Sequence, residues 1–223
     1  MSRSRLSDEQ CEAMRERILD AARELLVTEG PEAITTRAIA GRVGVSHMTL
    51  YTYFDNHAAI LTALKQRQRA RFQSRLDGLL HRAASEDVAQ VMQEWLQSHV
   101  TMAIENPRVF RFLWLLRPDV DRTRQARGER MSVHLRSLSR LVEMGIERST
   151  FAPRDPTVAA ATAFSMVLGP MLLYHGGHII SDTLRDQMAS EALGAALAYL
   201  RGETDTGTPA IERNATCGLS GVC

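Results

Sequence analysis

The sequence predicts an all-α fold, on three observations. Apolar residues return every three or four positions along most of the 223 residues, aromatic residues make up only 5% while Ala, Leu and Arg are frequent, and no segment alternates apolar and polar residues as a strand would. Hydrophobic residues at 44% and charged residues at 24% are ordinary globular values and exclude disorder throughout. The 27 basic and 26 acidic side chains leave a net charge of +1. Any attraction to a polyanion must therefore be local.

Ser7 and Gln10 form a capping box, and Met14, Ile18, Ala21, Ala22 and Leu25 follow at helical spacing until Gly30 and Pro31 stop the run. Thr36 is placed to cap a short second helix that buries Ile39, Ala40 and Val43, and Gly44 supplies the positive φ that ends it. Ser46 caps a third helix that turns Leu50 and Phe54 inward. Beyond Asp55 and Asn56 a fourth opens with Ile60, Leu61 and Leu64 and runs through KQRQRARFQSR toward Leu76 and Leu79. Ser85 starts a segment bearing Val88, Val91, Met92, Trp95, His99 and Met102, which ends near Asn106 and Pro107. The short run VFRFLWLL, a long helix to about Ser149, an uncharged helix from Asp155 and a last helix from Ser181 to Arg201 complete the order. The division predicted is a helix-turn-helix domain over 1–56, a helical bundle over 57–201 and a disordered tail over 202–223, poor in apolar residues.

The segment TTRAIAGRVGVSHMTLYTYF, residues 35–54, packs two short helices around a glycine turn, the spacing of a helix-turn-helix. Ile39, Ala40, Val43, Val45, Leu50 and Phe54 make a small core with the first helix, leaving His47, Met48, Thr49, Tyr51, Thr52 and Tyr53 outward or at the open helix end. A second helix so presented fits a DNA major groove. Between Ala33 and Arg75 stand seven Lys or Arg and one Asp, a local charge of +6 inside a neutral chain. The part of this charge from Lys65 to Arg75 reads as a solvated helix face.

Through this segment, its continuation DNHAAIL and the preceding ILDAARELLVTEG, the sequence resembles the TetR family of bacterial transcriptional regulators. The resemblance is specific over residues 12–65 and weak beyond. It implies a homodimeric repressor that binds palindromic operator DNA through its N-terminal helix-turn-helix and is released by a small-molecule inducer bound to the C-terminal domain. The family's phosphate contacts map onto Thr36, Ser46, Tyr51 and Tyr53, and its base-reading positions onto Arg37, His47, Met48 and Thr49. Each fits on chemical grounds. A Thr hydroxyl at a helix N-terminus suits a phosphate oxygen, Arg37 presents two donors to guanine O6 and N7, and Met48 and Thr49 offer methyl surface to thymine. His57 stands where the family usually has a phosphate-gripping Lys, and a neutral imidazole there keeps a hydrogen bond but loses most of the charge attraction.

In the C-terminal half, Pro156–Ser181 carries no Asp, Glu, Lys or Arg and is long enough to span a bilayer. Its Gly169, Pro170, Gly176, Gly177 and two histidines favour instead a soluble helix buried on every side, against both core and partner subunit. Trp95, His99, Met102, Phe110, Trp114, Met166, Leu173 and Tyr174 are the candidate lining of an apolar ligand pocket. His175 and His178 flank two glycines, but two ligands do not make a metal site. Neither G-x-S-x-G, a P-loop, G-x-G-x-x-G nor H-E-x-x-H occurs, so neither an enzyme nor a cofactor is expected. MSRSRLSDEQ lacks the apolar core of a secretory signal, and Cys11, Cys217 and Cys223 make no disulfide framework, which together predict a reducing cytoplasm. The sequon at Asn214 and the Cys217–Cys223 pair read as chance matches.

Overall fold

The structure is a computed structural model and describes residues 7–116 and 133–203. Among the described residues all regular structure is helical. The expected tail residues Cys217 and Cys223, the sequon at Asn214 and the start of the long helix before residue 133 lie outside them.

Helix α1 (Asp8–Thr28) begins in the capping box of Ser7 and Gln10 and buries Ile18, Ala22, Leu25 and Leu26. A 3₁₀ turn at Pro31–Ala33 redirects the chain into α2 (Thr36–Val43). The cap of α2 is Thr35 rather than Thr36. Thr35 is extended and its hydroxyl accepts from the Ala38 N–H at 3.2 Å, which makes Thr36 the first helical residue and leaves its hydroxyl out of the cap. Gly44 ends α2 at φ +80, a conformation that L side chains rarely adopt. Ser46 then caps α3 (His47–Leu50) by accepting from the Thr49 N–H.

Helix α4 (His57–Ala83) leaves this unit and runs into the C-terminal domain. It is followed by α5 (Val88–Glu105), α6 (Pro107–Trp114), α7 (Val133–Glu147), α8 (Pro156–His175) and α9 (Asp182–Arg201). The start of α5 departs from the sequence expectation. Asp87, not Ser85, is its cap, since the Asp87 carboxylate accepts from Ala89 N–H at 2.9 Å while Ser85 still belongs to the turn that closes α4.

Two apolar clusters result. The N-terminal one joins Ile18, Leu25, Ile39, Val43, Leu50 and Phe54 with Ile60 and Leu64 of α4 and Phe112 and Leu113 of α6. The C-terminal one gathers Leu76 of α4 with the inner faces of α5, α7, α8 and α9. The boundary expected between residues 56 and 57 falls at the start of α4, whose first two turns pack with the N-terminal cluster.

The uncharged helix α8 was expected to be buried against both the core and a partner subunit. One side packs inward through Ala159, Ala160, Ala163, Val167 and Met171, but Val158 is 59% and Leu173 41% exposed, so within one chain it is not buried on every side. By length and composition it could cross a membrane, though core helices of soluble proteins pass the same test. Its outward side and α9 form an open apolar groove of about 800 Å³ that includes Met166, Leu173, Leu184 and Met188.

Candidate nucleic-acid interface

The geometry of residues 35–54 follows from its caps. Thr35 and Ser46 start the two helices with side-chain acceptors, Gly44 turns the chain between them, and Leu50 and Phe54, both under 5% exposed, pin the second helix onto α1 and α2. That fixes which side of α3 faces outward. Arg37, His47 and Met48 are exposed, Met48 to 63%. Thr36, Thr49 and Tyr53 are half-buried and Tyr51 is 42% exposed. The Thr49 hydroxyl lies 2.8 Å from the Ser46 hydroxyl, so these two polar groups are held together at the amino end of α3. Seven of the nine residues singled out for DNA thus sit on α2, on α3 or on the turn after it, Ser46 caps α3, and His57 opens α4.

His57 is turned toward the protein. Its Nε2–H donates to the carbonyl of Ile34 at 2.6 Å, closing an acceptor at the end of the 3₁₀ turn and leaving only Nδ1 for another partner.

Three of the seven cations behind the local charge excess are spent inside the molecule. Arg42 pairs with Glu24 and Glu29 of α1's end, the latter at 2.5 Å, and Arg67 pairs with Asp20 at 2.6 Å and Glu16 at 3.2 Å. Lys65 is buried on α4, where its Nζ donates to the Leu116 carbonyl and stands 5.2 Å from the Phe112 ring centre. Burial first, then Arg69, holds its ammonium below the usual lysine range. Sequence counting could not see these pairings, because the acids that neutralise Arg42 and Arg67 lie on α1 or just beyond its end.

The candidate ligand residues divide into two places. Trp95, His99, Phe110 and Trp114 join an aromatic cluster with Phe72 and Phe164, two residues the sequence did not single out; Trp95 and His99 are 4.2 Å apart between ring centres and Trp114 and Phe164 5.7 Å. Met102 is buried in the same core, whereas Met166 and Leu173 line the outer groove between α8 and α9. The Tyr174 hydroxyl donates to Asp182 and its ring stacks under Arg185, at 4.5 Å. These eight residues therefore do not surround one space. Phe72 was readable from its place four positions before Leu76 and seven before Leu79 on the inward side of α4. His175 Nε2–H donates to the Ala103 carbonyl at 3.0 Å, and burial holds its pKa below the ordinary histidine value; His178 is exposed.

These features define a class: an all-helical protein with an N-terminal helix-turn-helix joined through one long helix to a larger helical domain. Residues 18–64 match the model of bacterial regulatory proteins, tetR family. An HTH-type transcriptional regulator of Mycobacterium tuberculosis is 32% identical over 127 residues, 56% of this chain and 60% of the relative. The tetracycline repressor class D of Escherichia coli is 44% identical over 50 residues, covering 22% of this chain and 23% of the relative. The chain thus spans 60% or less of these relatives' lengths. Among solved structures, that of RolR in complex with resorcinol superposes with a TM-score of 0.63 at 19% identity over 88% of this chain and 93% of that one.

Proposed function

We propose that this chain is a homodimeric transcriptional regulator of the cytoplasm that reads a palindromic operator with α3 and acts as a repressor released by a small apolar ligand, with no catalytic activity of its own. One observation carries the reading: Arg37, His47 and Met48 stand exposed on a helix pair whose opposite side is fully buried, a surface with no role in holding the fold. The names of the relatives support it, since one is a transcriptional regulator and another a repressor. Pairing is supported by the open apolar groove of α8 and α9, whose burial against a second copy would complete a four-helix contact.

Arg37 is proposed to read guanine, His47 a base edge, and Met48 and Thr49 thymine methyl groups, while Thr36, Ser46, Tyr51 and Tyr53 hold phosphates. His57 retains only Nδ1 for that purpose. Release by ligand is a population shift in which α4 sets the spacing of the two reading helices. A ligand-independent regulator is the second reading, favoured by the close packing of the aromatic cluster around His99. Titration of apolar ligands against operator affinity separates the two.

Selection of bound sequences from a random duplex pool tests the whole reading. A palindrome is the expected result, because only paired readers select one, and recovery of no enriched duplex at low salt refutes DNA recognition. Arg37→Ala is expected to cost about 1–3 kcal/mol on the selected operator and to relax preference at one base pair per half-site. Salt dependence gives a further prediction. Six neutralised phosphates would give a log–log slope of about −5; with Arg42 and Arg67 paired and Lys65 buried the slope should be shallower than that, and a fluorescence titration across salt concentrations measures it.

A further inference from the structure

Helix α3 is a single turn of four residues, too short to hold its own direction in water, so other elements must set it. Two of the groups that do so come from α1. Arg15 donates from Nη1 to the carbonyl of Tyr53, where the helical turn that extends α3 ends, and its guanidinium lies 4.3 Å from the centre of the buried Phe54 ring. Arg17 donates from Nη2 to the carbonyl of Val43, in the last turn of α2, at 3.1 Å. At about 100° per residue these two side chains leave α1 about 160° apart, Arg15 in line with the buried stripe and Arg17 outside it. Each meets the carbonyl end of one helical segment of the pair, where unpaired acceptors and partial negative charge favour a cation. The acid beside them is Glu12, 3.8 Å from Arg15 Nε and itself well exposed.

We propose that Arg15 and Arg17 are positioning residues that fix the angle between α2 and α3, and so the base preference of α3, without touching nucleic acid. This rests on the reading of α2 and α3 as the DNA-binding pair. Leu50 and Phe54 anchor α3 to the core through apolar contacts, which are non-directional and tolerate rotation of the turn about its axis. A donor fixed on the Tyr53 carbonyl from the side opposes that rotation. Rotation would carry His47, Met48 and Thr49 away from base edges while leaving attraction to phosphate nearly intact, because base contacts specify and phosphate contacts only position.

Arg15→Met keeps the unbranched stem as far as the Nε position but removes the donor and the charge. On the duplex selected by the unaltered chain and on a scrambled duplex of equal length, the expected result is a loss of about tenfold in the ratio of the two affinities, the worth of one misplaced base contact. Affinity for the scrambled duplex and the salt slope should stay unchanged, and Arg15→Lys, which restores a donor and a charge, should recover part of the ratio. Equal loss on both duplexes with a shallower salt slope would identify a direct phosphate contact and overturn the proposal, as would an unchanged ratio. Arg17→Met, read in the same way, decides the matter should Arg15→Met fail to fold. Amide hydrogen exchange over residues 47–54, measured without DNA, should be faster in Arg15→Met, and an unchanged rate overturns the clamp. If the unaltered chain binds no duplex, the DNA reading falls, and the exchange measurement alone judges whether Arg15 holds α3.

Discussion

Leu50→Ala is expected to melt the N-terminal unit while the C-terminal bundle stays folded. Leu50 is fully buried, and it is the buried side chain through which the four residues of α3 are tied to α1 and α2. Truncating a fully enclosed Leu removes its transfer free energy and leaves a cavity, together about 2–5 kcal/mol. The N-terminal cluster is small and has little stability to spare, so a loss of that size is a large fraction of it. The C-terminal cluster shares no fully buried side chain with it. Thermal denaturation followed by circular dichroism should therefore split into an early, weakened transition and a late one at the original temperature. Duplex binding should vanish while sedimentation still reports the same assembly. A single transition at the original temperature would show that α3 is not held through Leu50.

The parts of this fold that depend on neighbours in sequence were legible there. The capping box at Ser7 and Gln10, the turn at Gly44, the cap at Ser46 and the inward pair Leu50 and Phe54 each depend on residues within a few positions. Choices between two adequate groups were not legible. Thr35 and Thr36 can both cap a helix, and the path out of the Pro31 turn decides in favour of Thr35. Asp87 takes the cap of α5 from Ser85 because α4 closes through Ala84, Ser85 and Glu86 before the chain turns. Distant partners were invisible for a different reason: Arg42 and Arg67 read as surface cations until α1 brings Glu24 and Asp20 against them. The candidate ligand residues divided because α8 has no charged side to set its orientation, leaving Leu173 exposed on the outer groove, while Met166 lines that groove and also packs against the C-terminal core.

Gly145→Ala is expected to weaken the C-terminal bundle by about 3 kcal/mol, at the upper end of overpacking costs. A methyl group built on Gly145 would lie 2.0 Å from Cδ2 of Phe151, 2.4 Å from Cε2 and 2.8 Å from Cγ. Such distances require movement, and the ring has little room to move. Phe151 is 4% exposed, and the N–H groups of Thr150 and Phe151 both donate to the Gly145 carbonyl, at 2.9 and 3.1 Å. The next residue, Ala152, donates its N–H to Leu200 at 2.8 Å, so displacing the ring also pulls on the end of α9. That helix, with α8, carries the open groove proposed to pair two copies. The variant should therefore dissociate at a higher concentration than the unaltered chain and lose operator affinity, although its DNA-reading residues are untouched. Phe151→Ala in the same chain discriminates the cause. If the clash with the ring is responsible, the double variant should be less destabilised than the two single changes added together, a coupling that thermal denaturation resolves when it exceeds about 0.5 kcal/mol. Strict additivity would place the damage in the backbone of α7 instead.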